Sequence, residues 1–172
     1  MSLRADETKS DYSVTLDFPY TTKYVFRGVE LARGSFQPSI EATSGPFKLG
    51  LWTNQPVTDN SDNEIDFYAG YSTALPGGWN LDAGGTMYYY PELNHSTGAN
   101  DTTFEPYVGL TRSINGFSPG VYVYYDLTRE TLTTEGQLGY SIPLEAVGAS
   151  LDFSANLGRV DPKSGGDYTY YS

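Results

Sequence analysis

Glu64-Ile65-Asp66-Phe67-Tyr68-Ala69-Gly70-Tyr71-Ser72-Thr73 decides the fold of this chain. Ile65, Phe67, Ala69 and Tyr71 fall on one side of an extended backbone, with Glu64, Asp66, Tyr68 and Gly70 on the other. A helix would scatter both sets around its circumference, whereas a strand sorts them onto two faces. The stretch ends in the turn cluster Leu75-Pro76-Gly77-Gly78, and the alternation resumes over Trp79 to Tyr90.

The same period recurs on both sides of this pair. A first strand is expected from Tyr12, bending at Pro19, which cannot donate to a ladder, and continuing through Thr22 to Val29. A loop around Ala32-Arg33-Gly34 is expected next, then Phe36 to Thr43, the tight turn Ser44-Gly45-Pro46, and Phe47 to Thr53. Beyond residue 90 the expected strands are Thr102 to Thr111, Gly120 to Leu127, Thr131 to Tyr140, Gly148 to Gly158 and Tyr168 to Ser172. Ile142 to Val147 reads as a connector, and Asn115-Gly116 with Pro119-Gly120 as one reversal. No window of helical periodicity interrupts the series.

Composition agrees with an all-β chain: 172 residues include 16 Tyr, 8 Phe, 19 Gly and 10 Pro, and no Cys. Without Cys there are no disulfides and no thiolate metal sites. The formal net charge of -11 repels phosphate, so no nucleic-acid partner is expected. Mean hydropathy is -0.42, and no run reaches the roughly 18 apolar residues of a membrane helix. If the chain crosses a membrane, it does so with strands.

Three features favour that crossing. Short turns at Ser44 to Pro46, Leu75 to Gly78 and Asn115 to Pro119 alternate with longer polar loops at 54–63 and 91–101, the asymmetry of outer-membrane barrels with short periplasmic turns. On the apolar face, strand middles hold Leu49, Leu51, Ala69, Leu81, Ala83, Val108, Leu110, Val121, Val123 and Leu151. Strand ends on that face hold Phe36, Phe47, Tyr71, Trp79, Tyr89, Phe104, Tyr125 and Tyr140, as an aromatic girdle at two lipid-water boundaries would. The opposite face carries Glu41, Glu64, Asp66, Asp82, Glu105, Asp126, Glu135 and Asp152 within strands, interleaved with Tyr68 and Tyr107. Carboxylates there cannot face lipid at tolerable cost, so they are expected to line a lumen with Arg27 and Lys48 as counter-charges.

The expected architecture is therefore an antiparallel up-and-down β-barrel of about 10 to 12 strands, of outer-membrane type. Residues 12–172 form the barrel domain, and residues 1–11 are expected to be a disordered N-terminal segment, in which Met1 to Leu3 are a remnant replacing an export signal. The expected partners are outer-membrane lipid or detergent and a small polar or cationic solute passing through an acidic lumen. No cofactor, metal or catalytic group is expected. His95, the single histidine, lies in a loop with no histidine partner, and the loop Asp59 to Glu64 lacks the glycine and spacing of an EF-hand loop. The other reading is a soluble, lipocalin-like barrel that holds a small apolar ligand against the face taken here as outer. In the first reading Leu81, Val108, Val123 and Leu151 meet lipid, and in the second they are buried.

Four segments also carry a family resemblance: Tyr24-Val25-Phe26-Arg27-Gly28, Gln37-Pro38-Ser39-Ile40, Gly50-Leu51-Trp52-Thr53-Asn54, and Glu64 to Tyr71. In order and spacing they resemble the Gcw_chp family of conserved proteobacterial outer-membrane proteins that includes the TorF-like porins. The resemblance is close over the first half and rests on repeated Gly-aromatic strands such as Leu81-Asp82-Ala83-Gly84 in the second. It implies an exported barrel in the outer membrane of a Gram-negative bacterium. It brings no transported solute and no catalytic residue. Members of the family look longer at the C-terminus, and the strand from Tyr168 stops at Ser172, short of the roughly nine to eleven residues a tilted membrane strand needs. The expectation is a chain truncated at its C-terminal end, with two sheet edges open to edge-to-edge self-association.

Overall fold

The computed structural model describes residues 11–58, 61–93 and 100–172. The expected N-terminal segment therefore lies outside the described residues, Asp11 excepted, as do His95 and the first two positions of the Asp59 to Glu64 loop.

Twelve strands make one antiparallel sheet. They are β1 (Tyr12–Asp17), β2 (Tyr20–Phe26), β3 (Val29–Phe36), β4 (Ser39–Ser44), β5 (Phe47–Pro56) and β6 (Glu64–Leu75). The second half holds β7 (Trp79–Tyr89), β8 (Thr102–Arg112), β9 (Phe117–Asp126), β10 (Thr131–Leu144), β11 (Ala149–Pro162) and β12 (Tyr168–Tyr171). The only helical elements among the described residues are single 3₁₀ turns at Pro76–Gly78 and Glu145–Val147. From β4 to β12 each strand pairs with the next in sequence, a meander, while the other side of β4 is taken by β1.

The first four strands are two long strands, each broken by proline. β1 pairs with β4 and β2 with β3, and the breaks face each other at Pro19 and Pro38. Each proline lacks the ladder N–H but keeps a carbonyl: Gln37 N donates to Pro19 O at 2.9 Å, and Thr53 N to Pro38 O at 3.0 Å. The bend expected at Pro19 is present, while the continuous strand expected from Phe36 to Thr43 is broken at Gln37-Pro38. The expected loop at Ala32-Arg33-Gly34 is strand, and the reversal lies earlier, at Arg27-Gly28. Both turn residues have positive φ, 48° and 79°, as a two-residue hairpin turn matching strand twist requires.

Other boundaries also move. Pro119 is inside β9, opposite Leu138 of β10, so Asn115-Gly116 alone turns that hairpin. The connector expected from Ile142 shrinks to Glu145–Gly148, because Ile142 and Pro143 pair with Leu151 and Ser150.

Between β1 and β12 no ladder forms among the described residues. β1 pairs only with β4 and β12 only with β11, so the sheet is all-β, antiparallel and twelve-stranded but not a closed ring. β12 covers Leu157 to Val160 of β11, the backbone of Ser172 bonds that of Asn156, and Ala149 to Ala155 of β11 keep a free edge.

Burial is inverted relative to a water-soluble fold. Among the described residues the buried apolar side chains are Ala32, Val160 and Tyr170, whereas Asn54, Glu64, Asp66, Thr103, Glu105, Asp126 and Thr133 are buried polar ones. Leu49 is 64% exposed, Val121 52% and Leu151 50%. The polar face turns inward, and the apolar face is the outer surface.

Candidate functional site

The residues of the inner face follow from ladder register. Asn54 pairs with Glu64; Trp52 with Asp66, then Tyr88 and Thr103; Gly50 with Tyr68, then Thr86 and Glu105. Lys48 leads through Gly70 and Gly84 to Tyr107 and Tyr124. Rings lie over glycines across the ladder. A Cβ on Gly50 would come within 2.2 Å of the Tyr68 ring, and one on Gly158 within 2.3 Å of Tyr170. The alternating large and small residues thus let tyrosines lie down across the interior.

The first hairpin enters this interior. β3 pairs with β5 at Ser35 and Phe36, the contact runs on through Val57 N to Gly34 O at 2.8 Å and Thr58 Oγ1 to Arg33 O at 2.6 Å, and beyond Arg33 the β2–β3 hairpin leaves the ladder. Tyr24 packs on Trp52 with ring centroids 5.4 Å apart, and Phe26 on Tyr88 at 6.0 Å. The Arg27 guanidinium lies 4.7 Å from both the Phe26 and the Tyr124 ring centroids, and a Cβ on Gly28 would sit 2.7 Å from that of Tyr170. The hairpin tip therefore reaches the inward face of β7, β8, β9 and β12. There Arg27 donates from Nη1 to Glu105 Oε2 at 2.7 Å and from Nη2 to Oε1 at 2.8 Å. Burial opposes the Arg27 charge, and the two-pronged contact with the Glu105 carboxylate offsets it.

A cavity of about 640 Å³ opens between the hairpin and the long-loop ends of the strands. Its wall includes Tyr24, Phe26, Glu64, Tyr90, Asp126 and Arg129. Glu64 accepts from the Tyr90 hydroxyl at 3.0 Å, with Tyr24 on the same wall. Asp126 Oδ1 accepts the backbone N–H groups of Thr128 and Arg129 at 2.9 and 2.8 Å, a side-chain turn that closes the β9–β10 loop.

A second polar cluster lies nearer the short turns. Asp82 accepts from Tyr107 at 3.3 Å and Tyr122 at 3.4 Å, with Lys48 Nζ 3.5 Å away. Tyr68 donates to Glu41 at 3.0 Å, and Tyr170 to Glu135. Of the residues read from sequence as lining, Arg27, Glu105, Glu64 and Asp126 meet at the cavity, and Lys48, Asp82 and Tyr107 meet below it. Asp66 lies between the two groups, and Glu135 faces Tyr170. Asp152 stands apart, exposed on the free half of β11, where its carboxylate accepts from Ser150 at 2.7 Å.

A family model described as "Bacterial protein of unknown function (Gcw_chp)" matches residues 5–171. The chain belongs to this family. No curated protein and no solved structure matches it. The Gcw_chp match spans every residue of the cavity wall and both edges of the sheet.

The outer face of this Gcw_chp chain carries exposed rings toward both ends of its strands. Phe47 and Tyr71 pair across β5 and β6 with centroids 5.3 Å apart, next to the short turns where Trp79 and Tyr140 also lie. Phe36, Tyr89, Phe104 and Tyr125 lie toward the long loops. Phe117, stacked on Tyr140 at 4.4 Å, and Phe153, its other ladder partner, join the short-turn set. Both were legible from parity once the strand starts were known. Tyr24, Tyr90 and Arg129 were not singled out from sequence; Tyr90 continues the inward parity of Asp82, Gly84, Thr86 and Tyr88, a signal that was there to use.

Proposed function

We propose that this protein is a porin-like β-barrel of the bacterial outer membrane, whose acidic inner face lines a passage for cations or small polar solutes. The observation that carries this reading is the inversion of burial: aliphatic strand middles outside, carboxylates and tyrosines inside. In water, exposing Leu49, Val108, Val121, Val123 and Leu151 together would forfeit roughly 1.5–3 kcal/mol of burial for each side chain, whereas in lipid they are in their preferred solvent. Rings near both ends of this face suit the two interfaces. The soluble, lipocalin-like alternative needs an apolar interior, and the inward residues Glu64, Asp66, Glu105 and Asp126 weigh against it. Ring closure belongs to the same proposal, with the free edges of β1 and β11 joined through one further strand or through a second copy.

Extraction and conduction test it. The native protein is expected in the detergent-soluble membrane fraction and, in a planar bilayer, to pass cations in preference to anions. Recovery in the aqueous fraction without detergent, or anion-selective current, would overturn it.

A further inference from the structure

We propose that the cavity behind the first hairpin binds an organic ammonium ion, with the Glu64 carboxylate as its anchor and the Tyr24 and Tyr90 rings as its walls. The sign of the ligand's charge rests on the cation-favouring reading above; the site itself rests on the geometry that follows.

Charge on the wall is unbalanced. Four carboxylates, Asp62, Glu64, Glu105 and Asp126, face two guanidiniums, Arg27 and Arg129. Arg27 is taken up by Glu105 in a two-pronged pair. Asp126 is held by two backbone N–H groups, with Arg129 Nε at 3.9 Å. Glu64, 3% exposed, accepts from the Tyr90 hydroxyl, and among the described residues it forms no ion pair. The Arg129 guanidinium on the same wall acts on Glu64 through space without pairing to it, so this buried carboxylate lacks the bonded counter-charge that normally accompanies such a group.

Donors are also short beside it. Asp66, two residues along the same face and 8% exposed, has an Oδ1 with no hydrogen-bond partner, and Thr103, 2% exposed in the same ladder row, has an unpartnered hydroxyl. Asp66 Oδ1 is thus a buried acceptor that no donor among the described residues reaches, behind the cavity wall rather than on it. No three carboxylate or histidine groups come together among the described residues as a metal shell would need. A single carboxylate beside ring faces suits a bulkier cation: it offers a charge-assisted hydrogen bond to N–H and π faces to N-alkyl groups. The cavity volume lies within the roughly 300–1,000 Å³ of small-molecule sites. The Arg129 guanidinium already stands 5.8 Å from the Tyr90 ring centroid, so a ligand cation would share this ring with it.

The test is calorimetric titration of the native protein in detergent with choline, with acetate and glucose as anionic and neutral controls. Saturable choline binding is expected, with no acetate or glucose binding. Glu64→Gln should weaken it at least tenfold and Tyr90→Leu severalfold, while Glu130→Gln, on an exposed loop outside the cavity, should leave it unchanged. If Glu64→Gln fails to fold, Tyr90→Leu and Tyr24→Leu decide. Absence of saturable choline binding, equal binding of glucose, or affinity indifferent to whichever of these variants fold would overturn the site. Because titration needs no current, a silent bilayer recording counts against the channel and leaves the site standing. Conversely, conduction without choline binding removes the site alone.

Discussion

Arg27 and Glu105, 78 residues apart in sequence, meet through two parallel hydrogen bonds of 2.7 and 2.8 Å at the tip of the first hairpin. Their side chains are 13% and 4% exposed, so neither charge has water to fall back on. Removing one partner of such a pair strands the other, at a typical cost of about 3–5 kcal/mol. Arg27→Asn isolates this effect, because Asn tolerates the positive φ of the turn. It is expected to destabilise the folded protein by several kcal/mol, read by denaturant titration in detergent, and Arg27→Asn with Glu105→Leu should recover most of the loss. It should also raise single-channel conductance, since the pair fastens the hairpin across the inner face. Unchanged stability in Arg27→Asn would mean that the pair contributes nothing net.

Two inward glycines separate rigid from yielding neighbours. A Cβ on Gly84 would lie 2.3 Å from the Ala69 carbonyl oxygen, which belongs to the β6 backbone and cannot swing aside. On Gly50 it would meet the far end of the Tyr68 ring at 2.2 Å, which a rotamer change can relieve. Gly84→Ala should therefore cost more than Gly50→Ala within the roughly 1–3 kcal/mol of overpacking. Adding Tyr68→Ala should rescue Gly50→Ala. Equal losses, or no rescue, would contradict the ring-on-glycine packing.

How much of this was legible depends on which residues carried the signal. From Phe47 to Arg112 the strict alternation and the Gly/Pro turns lead to the right strands, because a sheet with one polar and one apolar face is specified residue by residue. The first hairpin reads poorly for a physical reason. Arginine at φ 48° does not announce a turn, and Gly34, at φ 59° within β3, imitates a loop. That the hairpin leans inward depends on two prolines facing each other across a ladder, a tertiary relation no local window contains. Hence Arg27 was legible as a counter-charge but not as the partner of Glu105. The cavity it shapes with Tyr24 was not legible at all.

The proposed membrane setting makes a graded response of the outer face the expected outcome. Val108 and Val123 are ladder partners in the middle of their strands, whereas Phe47 begins β5 beside the tight turn. In lipid vesicles Val123→Arg should cost about 2–4 kcal/mol and Phe47→Arg about 0–1 kcal/mol, because the penalty falls from midplane to interface. Denaturant titration of the vesicle-folded protein measures both. Similar small costs at the two positions would mean that this face does not meet hydrocarbon.

The unpaired edges give the last prediction. β1 pairs on one side only, with β4, and Ala149 to Ala155 of β11 extend past the reach of β12. Both runs alternate apolar outward with Ser, Thr and Asp inward: Val14 and Leu16 against Ser13, Thr15 and Asp17, and Leu151 and Phe153 against Ser150, Asp152 and Ser154. Such edges template pairing with another chain, and a proline removes a ladder donor while leaving the outer surface apolar. In detergent the native protein is expected to self-associate in a concentration-dependent way, followed by sedimentation. Proline at whichever of Val14 and Thr15 turns its N–H away from β4 should shift it toward monomer, while Phe36→Leu, away from both edges, should not. Monomeric behaviour of the native protein across the concentration range would show that these edges do not recruit a second copy.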